Sequence, residues 1–127
     1  MNVHESGEMY LEAILVLSKT NGFVRSVDVS EYLGYSKPSV SRGMSILRSG
    51  GYVEVDGDGG LTLTQSGREI AEKIFERHTL LSQLLMKLGV PEGTAIADAC
   101  KMEHAISDES FQALKRHMTR NGEEEPV

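Results

Sequence analysis

A single cysteine, at position 100, leaves this chain of 127 residues no internal disulfide and fits a reducing compartment. No apolar run approaches the length of about 20 residues that a bilayer-crossing helix needs, so no membrane contact is expected. Residues Met1 to Glu8 carry acids and lack the apolar stretch of a secretory signal, so a cytoplasmic location is expected. An excess of basic charge is missing too. The formal net charge of −6 excludes a protein that coats nucleic acid generally. Acid is missing locally, however: none stands between Glu31 and Glu54, and that stretch carries Lys37, Arg42 and Arg48. A local basic face on an acidic chain suits a regulator whose affinity for DNA is conditional.

What is present is ordinary for a globular chain, 39% apolar and 25% charged. Met9, Leu11, Ile14, Leu15 and Leu17 recur at helical spacing from about Gly7 to Thr20, where Asn21-Gly22 stops the helix. Ser26-Val27-Asp28 offers an N-cap for a short helix that ends at Leu33, and Gly34 makes a tight turn. Ser36 caps a third helix with Pro38 in its first turn and Gly50-Gly51 after it. Val40, Met44, Ile46 and Leu47 are expected inward or partly inward. Tyr52 to Asp56 alternates like a strand, Asp58-Gly59-Gly60 turns, and Leu61 to Thr64 returns. A long helix from about Ser66 to Leu88 follows, then helices near Pro91 to Ala105 and Asp108 to Met118. Arg120 to Val127 reads as a disordered acidic tail. The expected fold is mainly α: a winged helix-turn-helix with a small two-stranded β wing over residues 1–65, then a helical metal-sensing and dimerisation domain over 66–119, and the tail over 120–127.

In that order of elements the first two helices hold the third at a fixed angle, and the third can enter the major groove. Its start carries Ser36, Lys37, Pro38, Ser39, Ser41 and Arg42. Short hydroxyl side chains let the backbone approach phosphates and base edges, while Lys37 and Arg42 can neutralise phosphates or reach guanine. The wing tip at Asp56 to Gly60 has no Lys or Arg, so weak wing contacts are expected. The ordinary alternative is a capped helix start beside a solvated arginine. The wing that follows makes the match more specific.

A second group of residues has metal-ligand chemistry. Cys100, Glu103 and His104 stand at i, i+3 and i+4, on one face of a helix. Thiolate, carboxylate and imidazole donors converge there. His78 on the preceding long helix can face them, and Met9 and Glu12, about one turn apart on the first helix, could complete the shell. Taken singly, Met9 could be core filler, Cys100 an inert thiol, and His78 or Glu103 solvated. At these offsets together the metal reading is preferred. His4 is a stray candidate ligand.

Glu8 to Glu12, the helix-turn-helix, Gly51-Tyr52-Val53, Leu63 to Arg68, Arg77-His78 and Cys100 to Asp108 resemble the diphtheria-toxin-repressor and manganese-transport-regulator family over roughly residues 6 to 118. The resemblance implies a dimeric transcriptional repressor of metal uptake, activated by ferrous or manganous ion, in the two-domain form. By position, Met9, Cys100, Glu103 and His104 match ligands of the iron-type regulatory site; Glu12 and His78 match ligands of the manganese-type binuclear site. The chain departs from the manganese branch, which has carboxylates where Met9 and Cys100 stand. It also departs from the iron branch, whose ancillary site has a glutamate and a histidine where Ser82 and Ile96 stand.

Thiolate and thioether are soft donors. They favour Fe(II), Co(II), Ni(II) or Zn(II) over Mn(II), and intracellular availability then points to Fe(II), with Mn(II) the alternative and Zn(II), Co(II) or Ni(II) able to bind in vitro. The apolar surface of Leu80, Leu84 and Leu88, with Phe111 and Leu114, is expected at a two-fold dimer interface, which would set two recognition helices about one DNA turn apart. The expected partners are operator DNA and a second copy, with no organic substrate and no enzymatic activity. Two competing readings are a metal-independent winged-helix regulator, whose operator binding would survive chelation, and an enzyme using Cys100 with His104, for which no oxyanion hole is recognisable.

Overall fold

The computed structural model describes residues 4–120. Its elements run α1 (Glu5–Thr20), α2 (Ser26–Leu33), α3 (Lys37–Ser49), β1 (Val53–Val55), β2 (Leu61–Leu63), α4 (Gln65–Lys87), α5 (Glu92–Ala105) and α6 (Asp108–Arg120). The mainly helical, winged class expected from the sequence is the observed one. The chain divides into two compact units, Met1–Glu72 and Lys73–Val127, so the division falls inside α4. The acidic tail expected from 120 lies, from 121 onward, outside the described residues.

In the first unit α1, α2 and α3 pack on one another, and the hairpin packs on α1 and α3. Leu11, Ile14, Val29, Val40 and Val53 are almost fully buried there. Burial of each such side chain contributes about 1.5–3 kcal/mol. Helix α1 starts earlier than the apolar pattern shows, at Glu5, with Glu5 and Glu8 in a first turn where acids suit the helix dipole. Helix α2 is capped from inside: the Arg25 N–H donates to Asp28 Oδ2 at 2.8 Å, so Asp28 rather than Ser26 closes the turn. Gly34 holds φ 73°, which turns the chain from α2 toward α3 without a Cβ clash. Ser36 caps α3 by accepting from Ser39 N at 3.3 Å.

The wing is a single antiparallel pair, with Val53 opposite Leu63 and Val55 opposite Leu61. Its turn is built on Asp56, whose Oδ1 accepts the N–H groups of Asp58 at 2.9 Å and Gly60 at 2.8 Å. Thr64 caps α4 through Gly67 N at 3.1 Å. A Cβ at position 67 would strike the Tyr52 carbonyl, so glycine lets the start of α4 lie close to the chain entering β1.

The second unit is built from the remainder of α4 with α5 and α6. Leu80, Phe111 and Met118 form its buried cluster, with Leu84, Ile106 and Leu114 packed against it. Two expectations are corrected. Ile46 is 62% exposed. Val40, Met44 and Leu47 take the inward stripe of α3, and a neighbouring residue is rotated by about 100° away from that stripe. Leu80, expected at a dimer interface, and Phe111, expected beside it, are each only 1% exposed. Both sit inside the chain's own cluster and offer no surface to a second copy.

Candidate functional site

Helix α3 presents a polar face. Lys37, Pro38, Ser41 and Arg42 are exposed and Ser39 is half-buried, while Val40, Met44 and Leu47 point into the core. Ser36 Oγ donates to Ser39 Oγ at 2.8 Å, and Arg42 Nη2 lies 3.4 Å from the same oxygen. The two hydroxyls therefore order the helix start and hold the guanidinium along it. Exposed Ile46 and Arg48 stand farther along the helix. Arg48 is the third cation of the acid-free stretch.

In the second unit, His78 from α4 meets Cys100 and Glu103 from α5. His78 Nδ1 lies 2.9 Å from Glu103 Oε2 and 3.7 Å from Cys100 Sγ. One donor atom from each of the three residues lies within 4.8 Å of the others. Nothing in local sequence dictates this meeting: the pairs are 25 and 22 residues apart. The second oxygen of Glu103 faces His104, with Nε2 to Oε1 3.4 Å, and both side chains are only 2% exposed. Glu103 is thus a buried carboxylate between two imidazoles. His104 joins the site through Glu103 and is not one of the three clustered donors.

The donors suit a divalent ion. Nitrogen and sulfur ligands at about 2.0–2.3 Å from one tetrahedral ion stand about 3.5 Å apart, and the His78 to Cys100 spacing is 3.7 Å. The His78 to Glu103 contact has hydrogen-bond length and would open by several tenths of an ångström around an ion. An imidazole, a thiol and a carboxylate are a borderline-soft set.

The remaining expected ligands belong to α1 in the first unit. Both are half-buried, and Met9 Sδ accepts a hydrogen bond from Tyr35 Oη at 3.3 Å, while Glu12 lies one turn on. His4 is exposed at the helix N-cap. Ser82 donates to the His78 carbonyl at 2.6 Å, and Ile96 is 40% exposed. Leu84 is half-buried on its own cluster, whereas Leu88 is 72% exposed.

One residue at this site escaped the sequence reading. Arg77, next to His78, is 7% exposed. The readable signal was its place between Ile74 and Leu81 on the apolar stripe of α4, where a lone cation needs partners.

Two family profiles match the chain: the iron dependent repressor N-terminal DNA binding domain over residues 2–61, and the iron dependent repressor metal binding and dimerisation domain over residues 64–124. An uncharacterized HTH-type transcriptional regulator of Methanocaldococcus jannaschii is 36% identical over 118 residues, 91% of this chain and 94% of that protein. The transcriptional regulator MntR of Escherichia coli is 34% identical over 113 residues, 89% of this chain and 73% of that protein. A solved manganese-dependent transcriptional repressor in complex with manganese superposes with a TM-score of 0.82 at 28% identity, over 89% of this chain and 52% of that one. The chain spans about half the length of several of the solved structures it matches, among them this repressor.

Proposed function

Because the chain belongs to the diphtheria-toxin-repressor and manganese-transport-regulator family of iron-dependent repressors, we propose that it is a homodimeric transcriptional repressor that binds operator DNA of metal-uptake genes when a divalent cation is present. The observation that carries this reading is the convergence of His78, Cys100 and Glu103, with His104 on the far oxygen of the carboxylate. A bound divalent ion supplies the differential binding free energy that shifts the chain toward its DNA-competent state. Residues of the chain do the rest. Lys37 and Arg42 neutralise phosphates or reach a base edge, and the Ser36 and Ser39 hydroxyls hold the start of α3 in shape for them. Exposed Leu88 and the outer edge of Leu84 belong to the surface that meets the second copy.

The metal assignment follows from donor softness and metal availability together. A thiolate favours iron(II), cobalt, nickel or zinc over manganese(II), and intracellular availability puts iron(II) first, with manganese(II) second and zinc, cobalt or nickel binding in vitro. Met9 and Glu12 are assigned as further ligands on their spacing in the sequence and on the resemblance. Met9→Ala should therefore lower Fe(II) affinity more than Mn(II) affinity, and equal losses would remove the thioether from the ligand set. The chain acts in the cytoplasm and catalyses no reaction. Among the described residues no helix is long and apolar enough to cross a membrane.

The test is an anaerobic titration of the chelated chain against a duplex selected from a random pool, with Fe(II), Mn(II) and Zn(II) added separately. Binding should be absent under chelation and appear at lower Fe(II) than Mn(II). Binding that persists under strong chelation would instead establish a metal-independent winged-helix regulator.

A further inference from the structure

We propose that Arg77 is a positioning residue of the metal centre, fixing helix α5 on helix α4 so that Cys100 and Glu103 face His78; this rests on the metal reading above. The side chain leaves α4 one residue before His78 and reaches the end of α5. Its Nη1 donates to the main-chain oxygen of Glu103 at 3.1 Å and to that of Ile106 at 2.9 Å. Helix α5 stops at Ala105, and Ile106 is extended at φ −72° and ψ 138°. The Glu103 carbonyl is therefore among the last four of its helix, which no N–H of the same helix can satisfy. A guanidinium supplies that donor and places positive charge at the negative end of the helix dipole.

Glu103 is thereby held at both ends. Its carbonyl is bonded by Arg77 and its carboxylate by His78, and these two residues are adjacent on α4. The closed loop ties the rotation and axial slide of α5 to α4. If α5 slid by one residue or turned on its axis, the Cys100 thiol and the Glu103 carboxylate would leave the imidazole together. Apolar contacts alone give no such register, because hydrophobic attraction is non-directional.

The same guanidinium also reaches α6. Its Nη2 lies 3.7 Å from Asp108 Oδ1, and its central carbon stands 5.6 Å from the centroid of the Phe111 ring. One side chain thus meets the helix that carries His78, the helix that carries Cys100 and Glu103, and the helix that backs them. The arrangement is not the cheapest way to fill the space. Arg77 Nε is buried with no hydrogen-bond partner among the described residues. A buried cation with an unmet donor is destabilising relative to an apolar side chain of similar size. What it gains in return is the pair of hydrogen bonds to the two carbonyls. A lysine, with a single point charge and no planar fork, would reproduce this only in part.

The test uses the full chain and Co(II) as the probe. Affinity is read by chelator competition, coordination by the thiolate-to-cobalt absorption band, and the metal-free site by the 15N shift of His78 Nδ1. Arg77→Met should weaken Co(II) binding by about tenfold or more, as losing the support of a ligand commonly does, and should move both the band and the ring shift. Arg77→Lys should fall between Arg77→Met and the native chain. Met118→Ala, which opens a cavity in the same cluster but removes no donor to the α5 carbonyls, should lower the melting temperature and leave all three readouts at native values. The role is overturned if Arg77→Met binds Co(II) with native affinity and spectrum. Where that variant does not fold, native values in Arg77→Lys overturn it equally. It is also overturned if Met118→Ala weakens binding as much as the Arg77 variants do, since the effect would then be general loosening. A native chain whose cobalt spectrum lacks the thiolate band would remove the metal reading itself, and the role of Arg77 with it.

Discussion

Helix α3 keeps its polar side chains in water, whereas α4 and α5 draw a carboxylate and an imidazole out of it. On α3 the contacts are local: Ser36, Ser39 and Arg42 bond one another at spacings of three residues, and the residues stay largely exposed. Around Glu103 the contacts are long-range. His78 approaches from 25 residues away and Arg77 from 26, and Glu103 is 1% exposed. A face meant for a polyanion must remain hydrated until its partner arrives, so it can rest on one helix. A cation site gains strength from exclusion of water and needs donors fixed from two helices before the ion arrives. The first unit is therefore expected to tolerate substitution on its working face, and the second to tolerate little.

Substitutions break or sharpen that contrast, and the largest effect is expected in the second unit. Glu103→Ala should abolish metal-induced DNA binding at metal concentrations that saturate the native chain while the helical circular dichroism stays native; operator affinity equal to that of the native chain would place the metal elsewhere. Next, Leu80→Ala should destabilise by about 2–5 kcal/mol in urea unfolding, because it opens a cavity against Phe111 and Met118. Leu88→Ala should stay within about 0.5 kcal/mol in the monomer, and a large loss there would mean that Leu88 belongs to the core. On α3 the scale is smaller. Ser36→Ala should cost about 1 kcal/mol through the lost cap, and no change would show that the Ser39 N–H is satisfied without it. Smallest of all, Arg42→Ala should leave stability unchanged and reduce the salt dependence of DNA binding by about one unit of slope, one phosphate's worth. An unchanged slope would take Arg42 off the backbone.

The same contrast explains what could be read before the fold was known. Ser36, Pro38 and the glycines at 34 and 51 write the helix-turn-helix into a short window, because caps and turns depend on nearest neighbours. The i, i+3, i+4 spacing put Cys100, Glu103 and His104 on one helix face, and the preceding long helix offered His78 to them. Distances across helices were not legible. The pattern could not tell that Glu103 bonds His78 directly while His104 stands behind its other oxygen. Nor could periodicity separate Ile46 from Leu47, since adjacent apolar residues on a helix compete for one stripe and packing decides which wins. Leu80 failed for a related reason: a run of leucines carries more apolar faces than one neighbour covers, and only the third dimension shows that Phe111 and Met118 take Leu80. The role of Arg77 is not legible in the sequence, because a main-chain carbonyl as partner leaves no trace in side-chain spacing.

X-ray absorption on the anaerobic Fe(II)-loaded chain bound to its selected duplex tests the metal assignment most directly, native beside Cys100→Ser. A sulfur shell at thiolate distance together with imidazole scattering is expected in the native chain, with that sulfur shell lost in the variant. Identical spectra from the two chains would contradict the placement of the ion between Cys100, Glu103 and His78.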